Sequence, residues 1–163
     1  MIKIKLNQIF TFLCILIVLS SCTAIYENGK EMAEGAKASI SELTADELRT
    51  KLEAEEEFQI IDVREPAEYK KGSIPGSFCI PRGVLEFKIG DDAFWEEEFL
   101  YTPLKEDEIV IYCKAGDRGI LATKALLELG YTNVKNLHGG IIAWDPELTT
   151  GSGAPAEEGG CGG

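Results

Sequence analysis

The sequence predicts an α/β fold, a parallel sheet flanked by helices on both faces within a single domain. Three observations carry that expectation. Short apolar, β-branched runs alternate with helix-like segments, the pattern of strands joined by crossover helices. Turn residues (Pro66, Gly72, Gly116, Gly130) punctuate the boundaries between them. The chain of 163 residues is long enough for one domain with a substantial core.

Each element follows from its residues. Ser39-Ile40-Ser41 reads as a short strand. Thr44 suits a helix N-cap, with Ala45-Asp46-Glu47 as the first turn and Leu48 and Leu52 on one face. Phe58–Val63 reads as a buried strand; Pro66 then opens a one-turn helix, Ala67–Lys71, which Gly72 stops. Ser77–Ile80 is a further short strand, and Gly83–Ile89 and Ala93–Leu100 are helical. Glu108–Tyr112 is a strand and Ile120–Leu129 a largely buried helix, with Thr123, Lys124 and Glu128 as its narrow polar face. Lys124 and Glu128, four apart, form a solvated pair. Val134–Leu137 is the last strand.

Composition excludes several functions. With 28 acidic and 16 basic residues the formal charge is −12, the opposite of the basic footprint that nucleic acid requires. The five cysteines (Cys14, Cys22, Cys79, Cys113, Cys161) and single histidine lack the spacings of a zinc site, so no metal or cofactor is expected. They are also too few and scattered for a disulfide scaffold.

The chemistry concentrates in Cys113-Lys114-Ala115-Gly116-Asp117-Arg118-Gly119, which follows the run Ile109–Tyr112 and precedes a helix. A thiol there sits at a strand's C-terminal end, facing the unpaired amides of a helix start, which favour a thiolate. The alternative is a buried cysteine acting as a small hydrophobe. Asp62 also ends a strand, and ligands of parallel sheets bind beyond those ends, so both residues converge on one mouth and the functional reading of Cys113 gains. Gly116 permits a backbone angle that other residues resist. Lys114 and Arg118 are either anion-orienting cations or solvated charges, and Asp117 opposes them. Asp62 and Arg64 read as paired charges that shape the mouth, and His138 as a turn or supporting group.

Three segments together resemble the rhodanese (sulfurtransferase) domain: Asp62-Val63-Arg64-Glu65-Pro66-Ala67-Glu68-Tyr69 continuing to Gly72–Ser77, then Cys113–Arg118, then Leu137-His138-Gly139-Gly140 with Ala143-Trp144. They occur in that family's order. The resemblance implies that Cys113 takes a sulfane sulfur from a small donor such as thiosulfate, becomes a persulfide, and passes the sulfur to a thiol or cyanide-like acceptor. Residues Lys114 to Arg118 would surround the transferred sulfur, with Gly119 completing the candidate loop. Family loops often carry Ser or Thr where this chain has Gly119, so a hydroxyl near the sulfur would be missing. Phosphatases on a related fold place five residues between cysteine and arginine; four separate Cys113 from Arg118, which suits a smaller sulfur centre and leaves a phosphatase or arsenate reductase as the disfavoured alternative. The competing functions are a non-catalytic binding or sensor domain of the same shape and a persulfide carrier to a partner.

The N-terminus reads as an export signal. Lys3 and Lys5 precede a charge-free stretch whose apolar part, Ile9–Leu19, is short for a membrane span. Leu19-Ser20-Ser21-Cys22 resembles the bacterial lipoprotein box, which implies lipid on Cys22 and anchoring to a membrane surface, periplasmic or on the outer membrane in a Gram-negative cell. The expected organisation is a signal peptide over 1–21, a lipidated N-terminus and tether over 22–38, the domain over 39–148, and a Gly-rich disordered tail over 149–163 carrying Cys161.

Overall fold

The computed structural model describes residues 25–98 and 100–149. In chain order these form α1 (Gly29–Lys37), β1 (Ser41–Leu43), α2 (Ala45–Glu53), β2 (Gln59–Asp62), α3 (Pro66–Tyr69), β3 (Ser77–Cys79), α4 (Leu85–Lys88), α5 (Asp92–Glu97), β4 (Ile109–Tyr112), α6 (Asp117–Glu128), β5 (Val134–Leu137), α7 (Gly140–Trp144) and a closing 3-10 turn, Pro146–Thr149. The strands make one sheet in the order β1-β5-β4-β2-β3. Every neighbouring pair is parallel.

β4 lies at the centre and is buried along its whole length, which is why it is apolar at every position instead of alternating. Its residues divide between two cores. Ile109 and Ile111 pack with Ile61, Val63, Trp95, Ala122 and Leu126 on the face covered by α4, α5 and α6. Val110 and Tyr112 pack with Leu48, Ile60, Leu137 and Ile141 on the face covered by α2 and α7. Helices on both faces are thus a direct result of strands that are apolar on both sides.

Local signals set most element starts. Thr44 caps α2 through a capping box with Glu47: its Oγ1 accepts the Glu47 N–H at 3.2 Å, and Glu47 Oε2 accepts the Thr44 N–H at 2.7 Å. Pro66 occupies the first turn of α3, where its missing N–H costs nothing. The expected Lys124–Glu128 pair is formed on α6.

Four expectations are corrected. The first strand is Ser41–Leu43, not 39–41, because Ser39 closes the preceding helix, its N–H and Oγ both donating to Ala36 O. Residues 29–37, expected within a polar tether, form α1, capped by Asn28 and buried at Ala33 and Ala36 against Ile120 of α6. The helix expected from Ile120 begins at Asp117, so Asp117, Arg118 and Gly119 are its first turn and not loop. Thr123, expected on the polar face of that helix, is fully buried. Among the described residues no helix is long and apolar enough to cross a membrane. Residues 1–24 and 150–163, with Cys14, Cys22 and Cys161, lie outside the described part.

Candidate active site

The carboxyl ends of β2 and β4 lie side by side, Asp62 opposite Tyr112, so Asp62, Arg64 and Cys113 meet at one mouth although the sequence separates them widely. Cys113 follows β4 directly and is only 1% exposed. Its Sγ accepts a hydrogen bond from the Gly116 N–H at 3.2 Å. That donor is available because Gly116, at φ 111°, turns the chain back on itself, a conformation that a side chain would strain. Immediately afterwards α6 begins, and the first-turn amides of a helix have no carbonyl within it to bond. Asp117 in that first turn complements the helix dipole.

The Gly139-Gly140 turn fixes the loop from behind. Ile141 N–H donates to Cys113 O at 2.8 Å and Ile142 N–H to Lys114 O at 3.2 Å. A Cβ on Gly140 would lie 2.4 Å from Cys113 O, so the two backbones touch only because no side chain intervenes. The Cys113 and Lys114 carbonyls are thus both engaged from behind, while the Gly116 N–H donates to the sulfur, a contact suited to negative charge.

Asp62 and Arg64 form a buried pair on the floor. Arg64 Nε lies 3.0 and 2.9 Å from the two carboxylate oxygens, and Nη2 lies 2.6 Å from Oδ2 and 2.8 Å from Gly72 O. Arg64 N–H also donates to Asp62 Oδ1 at 2.9 Å. Burial pushes the Asp62 carboxyl up, and the hydrogen bonds from Arg64 oppose that shift. The Tyr112 ring packs against the guanidinium at 5.6 Å, and burial drives its hydroxyl well above the ordinary value. That hydroxyl accepts the Ile74 N–H at 3.2 Å and lies 2.9 Å from Ser77 Oγ. The pair therefore ties α3, its following turn and the strand ends together.

Arg118 makes a contact that the sequence pattern did not reveal. Its Nη1 and Nη2 donate to Glu68 Oε2 and Oε1 at 2.7 and 2.8 Å, a bidentate bridge from α6 to α3. The Arg118 hydrogen bonds hold the Glu68 carboxyl down to about 2. Glu68 also accepts the Glu65 N–H at 3.2 Å, which makes it a helix cap; the cap is the signal that a sequence reader sees, and it hides the longer-range role.

Gly119 touches a second unforeseen residue. A Cβ there would lie 2.1 Å from Asn136 Oδ1 and 3.7 Å from the Cys113 amide nitrogen. The Asn136 carboxamide thus fills the volume of the missing side chain. Asn136 is fully buried, its Nδ2 donating to Glu42 Oε1 at 2.7 Å, while its Oδ1 has no hydrogen-bond partner among the described residues. His138 is 61% exposed and lies 3.3 Å from Glu42 Oε2, on the outer side of that pair. Lys114 and Ala115 stand exposed on the rim beside Asp117.

Residues 44–147 match the rhodanese-like domain family. The chain belongs to the rhodanese-like family. Among its relatives is a Schizosaccharomyces pombe protein named as a candidate mitochondrial thiosulfate sulfurtransferase, 37% identical over 91 residues. That match spans 55% of this chain and 64% of the relative, less than two thirds of its length. A human single-domain sulfurtransferase superimposes with a TM-score of 0.59 at 34% identity, over 63% of this chain and 93% of the human one. A Rhodopseudomonas palustris protein of unknown function, described as a possible tyrosine phosphatase, gives a TM-score of 0.62 at 30% identity, over 85% of this chain and all of that one. The rhodanese-like fold of this chain is therefore shared with named sulfurtransferases, and the positions of Cys113, Asp62 and Arg64 place them at the mouth of its sheet.

Proposed function

We propose that this rhodanese-like protein is a sulfurtransferase working through a Cys113 persulfide. The observation that carries the reading is the Cys113 sulfur itself: it lies at the end of the central strand and accepts the Gly116 N–H at 3.2 Å, directly before the start of α6. Relatives named as sulfurtransferases support it.

In the first half-reaction the Cys113 thiolate attacks the outer sulfur of the donor. The donor's S–S bond breaks, its electron pair leaving on sulfite or on a thiolate, and Cys113 keeps the transferred sulfur. An acceptor thiol or cyanide then attacks that sulfur and the Cys113 thiolate departs, so no net oxidation of the protein occurs. The loop amides hold negative charge on the outer sulfur without reorganising. The kinetics should be ping-pong, because the two substrates never meet.

A phosphatase reading is favoured by the description of the R. palustris relative. The spacing opposes it: four residues separate Cys113 from Arg118, and the Arg118 guanidinium is already bound at both nitrogens to Glu68. A phosphate would have to displace that carboxylate.

The deciding experiment treats the protein with thiosulfate or polysulfide, both of which carry the S–S bond that the first half-reaction breaks, and maps added sulfur by intact and peptide mass spectrometry. One sulfur on Cys113, absent in Cys113→Ser, is expected. A folded protein that gains no sulfur from any donor would support a binding or sensor domain instead. Loading without repeated turnover on small acceptors would support a carrier.

On the sequence alone we further propose export and lipid attachment at Cys22. Replacement of Cys22 by Ser should abolish fatty-acid labelling and release the protein from membranes; unchanged labelling would refute the assignment.

A further inference from the structure

We infer that Glu42 is a positioning residue for the Cys113 loop: its carboxylate orients the Asn136 carboxamide so that Oδ1 faces Gly119 and fixes the start of α6. Its effect on sulfur transfer rests on Cys113 being the sulfur-accepting nucleophile; its effect on the Gly116 contact to that sulfur does not.

The start of α6 carries no side-chain cap. Gly116 stands at the N-cap and has nothing with which to bond the first-turn amides. The turn is therefore placed by what packs on it from neighbouring elements. Gly119 is where it meets β5: a Cβ there would lie 2.1 Å from Asn136 Oδ1 and 3.7 Å from the Cys113 amide nitrogen. Three residues earlier, the Gly116 N–H donates to the Cys113 sulfur at 3.2 Å. A displacement of Gly119 carries to that contact across less than one helical turn.

Strand register brings Asn136 to this place and sets Glu42 beside it. Asn136 follows Val134 by two positions, and Val134 packs with Ala122 and Leu126 of α6, so both side chains point to the same face. Glu42 of β1 is paired directly opposite Asn136. A carboxylate only accepts hydrogen bonds, so it takes the amino end of the carboxamide: Asn136 Nδ2 donates to Glu42 Oε1 at 2.7 Å. Oδ1 is left facing α6, buried and without a hydrogen-bond partner among the described residues.

An unpaired buried acceptor is costly, so this orientation needs a cause, and Glu42 supplies it. The reversed amide would set oxygen against oxygen at Glu42 and press two N–H hydrogens onto Gly119. Oδ1 is also the negative end of the amide dipole, and it lies at the positive end of the helix. Glu42 Oε2 lies 3.3 Å from His138 Nδ1, so the carboxylate has a neighbour at each oxygen.

The test follows the Gly116 N–H signal by heteronuclear NMR and the rate of sulfur addition to Cys113 from thiosulfate by quenched mass spectrometry. Glu42→Gln keeps an accepting oxygen and should match wild type in both. Glu42→Lys offers only donors, so Asn136 must turn its oxygen to the lysine and its amino group to Gly119. The Gly116 signal should then shift and loading should slow about tenfold, because small misplacements of a reacting group are costly. Adding Asn136→Asp gives one oxygen to the lysine and returns the other to Gly119, so the double variant should recover both readouts. Glu42→Ala, at a partly exposed edge position, releases the amide and should move both readouts in the same direction as Glu42→Lys by a smaller factor; it serves where the lysine variant does not fold.

An unmoved Gly116 signal with wild-type loading in folded Glu42→Lys or Glu42→Ala would overturn the inference and leave the sulfurtransferase reading intact. So would Glu42→Gln as impaired as Glu42→Lys, or a folded double variant no better than Glu42→Lys, because the loss would then be one of edge contacts and not of orientation. Absence of sulfur addition even to the wild type, with the signal following the expected pattern, would remove the sulfurtransferase reading alone.

Discussion

Gly119 and Asn136 occupy one another's space: a Cβ on the glycine would sit 2.1 Å from the asparagine's Oδ1. Asn136 is held in place by Glu42 at 2.7 Å and has no solvent into which to swing. The absence of a hydroxyl at position 119, which looks like a gap in the loop, is a space already taken by a carboxamide from the neighbouring strand. The two positions must therefore vary together.

Gly119→Ser accordingly should destabilise the protein by about 1–3 kcal/mol, the usual cost of overpacking a filled interior. Gly119→Ser combined with Asn136→Ala should recover part of that loss, a coupling of about 0.5–3 kcal/mol for residues in contact. Urea unfolding of the four proteins measures it. Strictly additive effects would show that the two residues do not compete for the same volume.

The Glu68–Arg118 bridge predicts an acid dependence. The Glu68 carboxyl is held down to about 2 in the folded protein, against an ordinary value of 4.5. Its contribution to stability is complete above the unfolded value and is lost as pH falls from about 4.5 toward 2. Because both side chains are partly solvated, the contribution is about 1 kcal/mol. Glu68→Gln should be less stable than wild type at pH 7 and converge on it near pH 2, as followed by thermal melts. A stability gap that does not change with pH would show that the charge of Glu68, and with it the bridge to Arg118, contributes nothing to stability.

How far the sequence disclosed these features depends on their range. The inner strands were legible because Ile60-Ile61 and Ile109–Tyr112 are apolar on both faces, which only a covered parallel sheet satisfies. The convergence of Asp62 and Cys113 followed from strand polarity alone. Glu68 and Asn136 were not legible as site residues, because their partners Arg118 and Glu42 lie 50 and 94 positions away. Helix α1 escaped notice for a different reason: it buries only alanines, so it has no apolar stripe to read.

Arg64 neutralises a carboxylate that cannot reach water, since Asp62 is fully buried. Arg64→Met should therefore cost about 3–5 kcal/mol at neutral pH, because it leaves that charge alone. Burial already pushes the Asp62 carboxyl up; without Arg64 it rises further. A folded-state value above the unfolded one gives stability that is present in acid and lost as pH rises, so the deficit of the variant should shrink between pH 7 and pH 4. Urea midpoints at the two pH values test this, and Asp62→Asn with Arg64→Met should be milder than Arg64→Met alone. Equal deficits at both pH values would show that the lost contacts to Gly72 and Tyr112, and not the stranded charge, dominate.

Helix α1, the first among the described residues, lies outside the matched domain yet rests on the helix that begins at the active-site loop, with Ala33 fully buried against Ile120. Ala33→Glu would force a carboxylate into that contact, and unlatching α1 is the less costly response, because α1 shares no strand or core with the sheet. Hydrogen exchange should then rise in residues 29–37 and in the first two turns of α6, while β2 and β4 keep their protection. If those turns of α6 hold firm, α1 is a passive appendage. If they loosen together with α1, the helix braces the end of α6 that carries Asp117, Arg118 and Gly119, and sulfur loading of Cys113 should slow in the same variant.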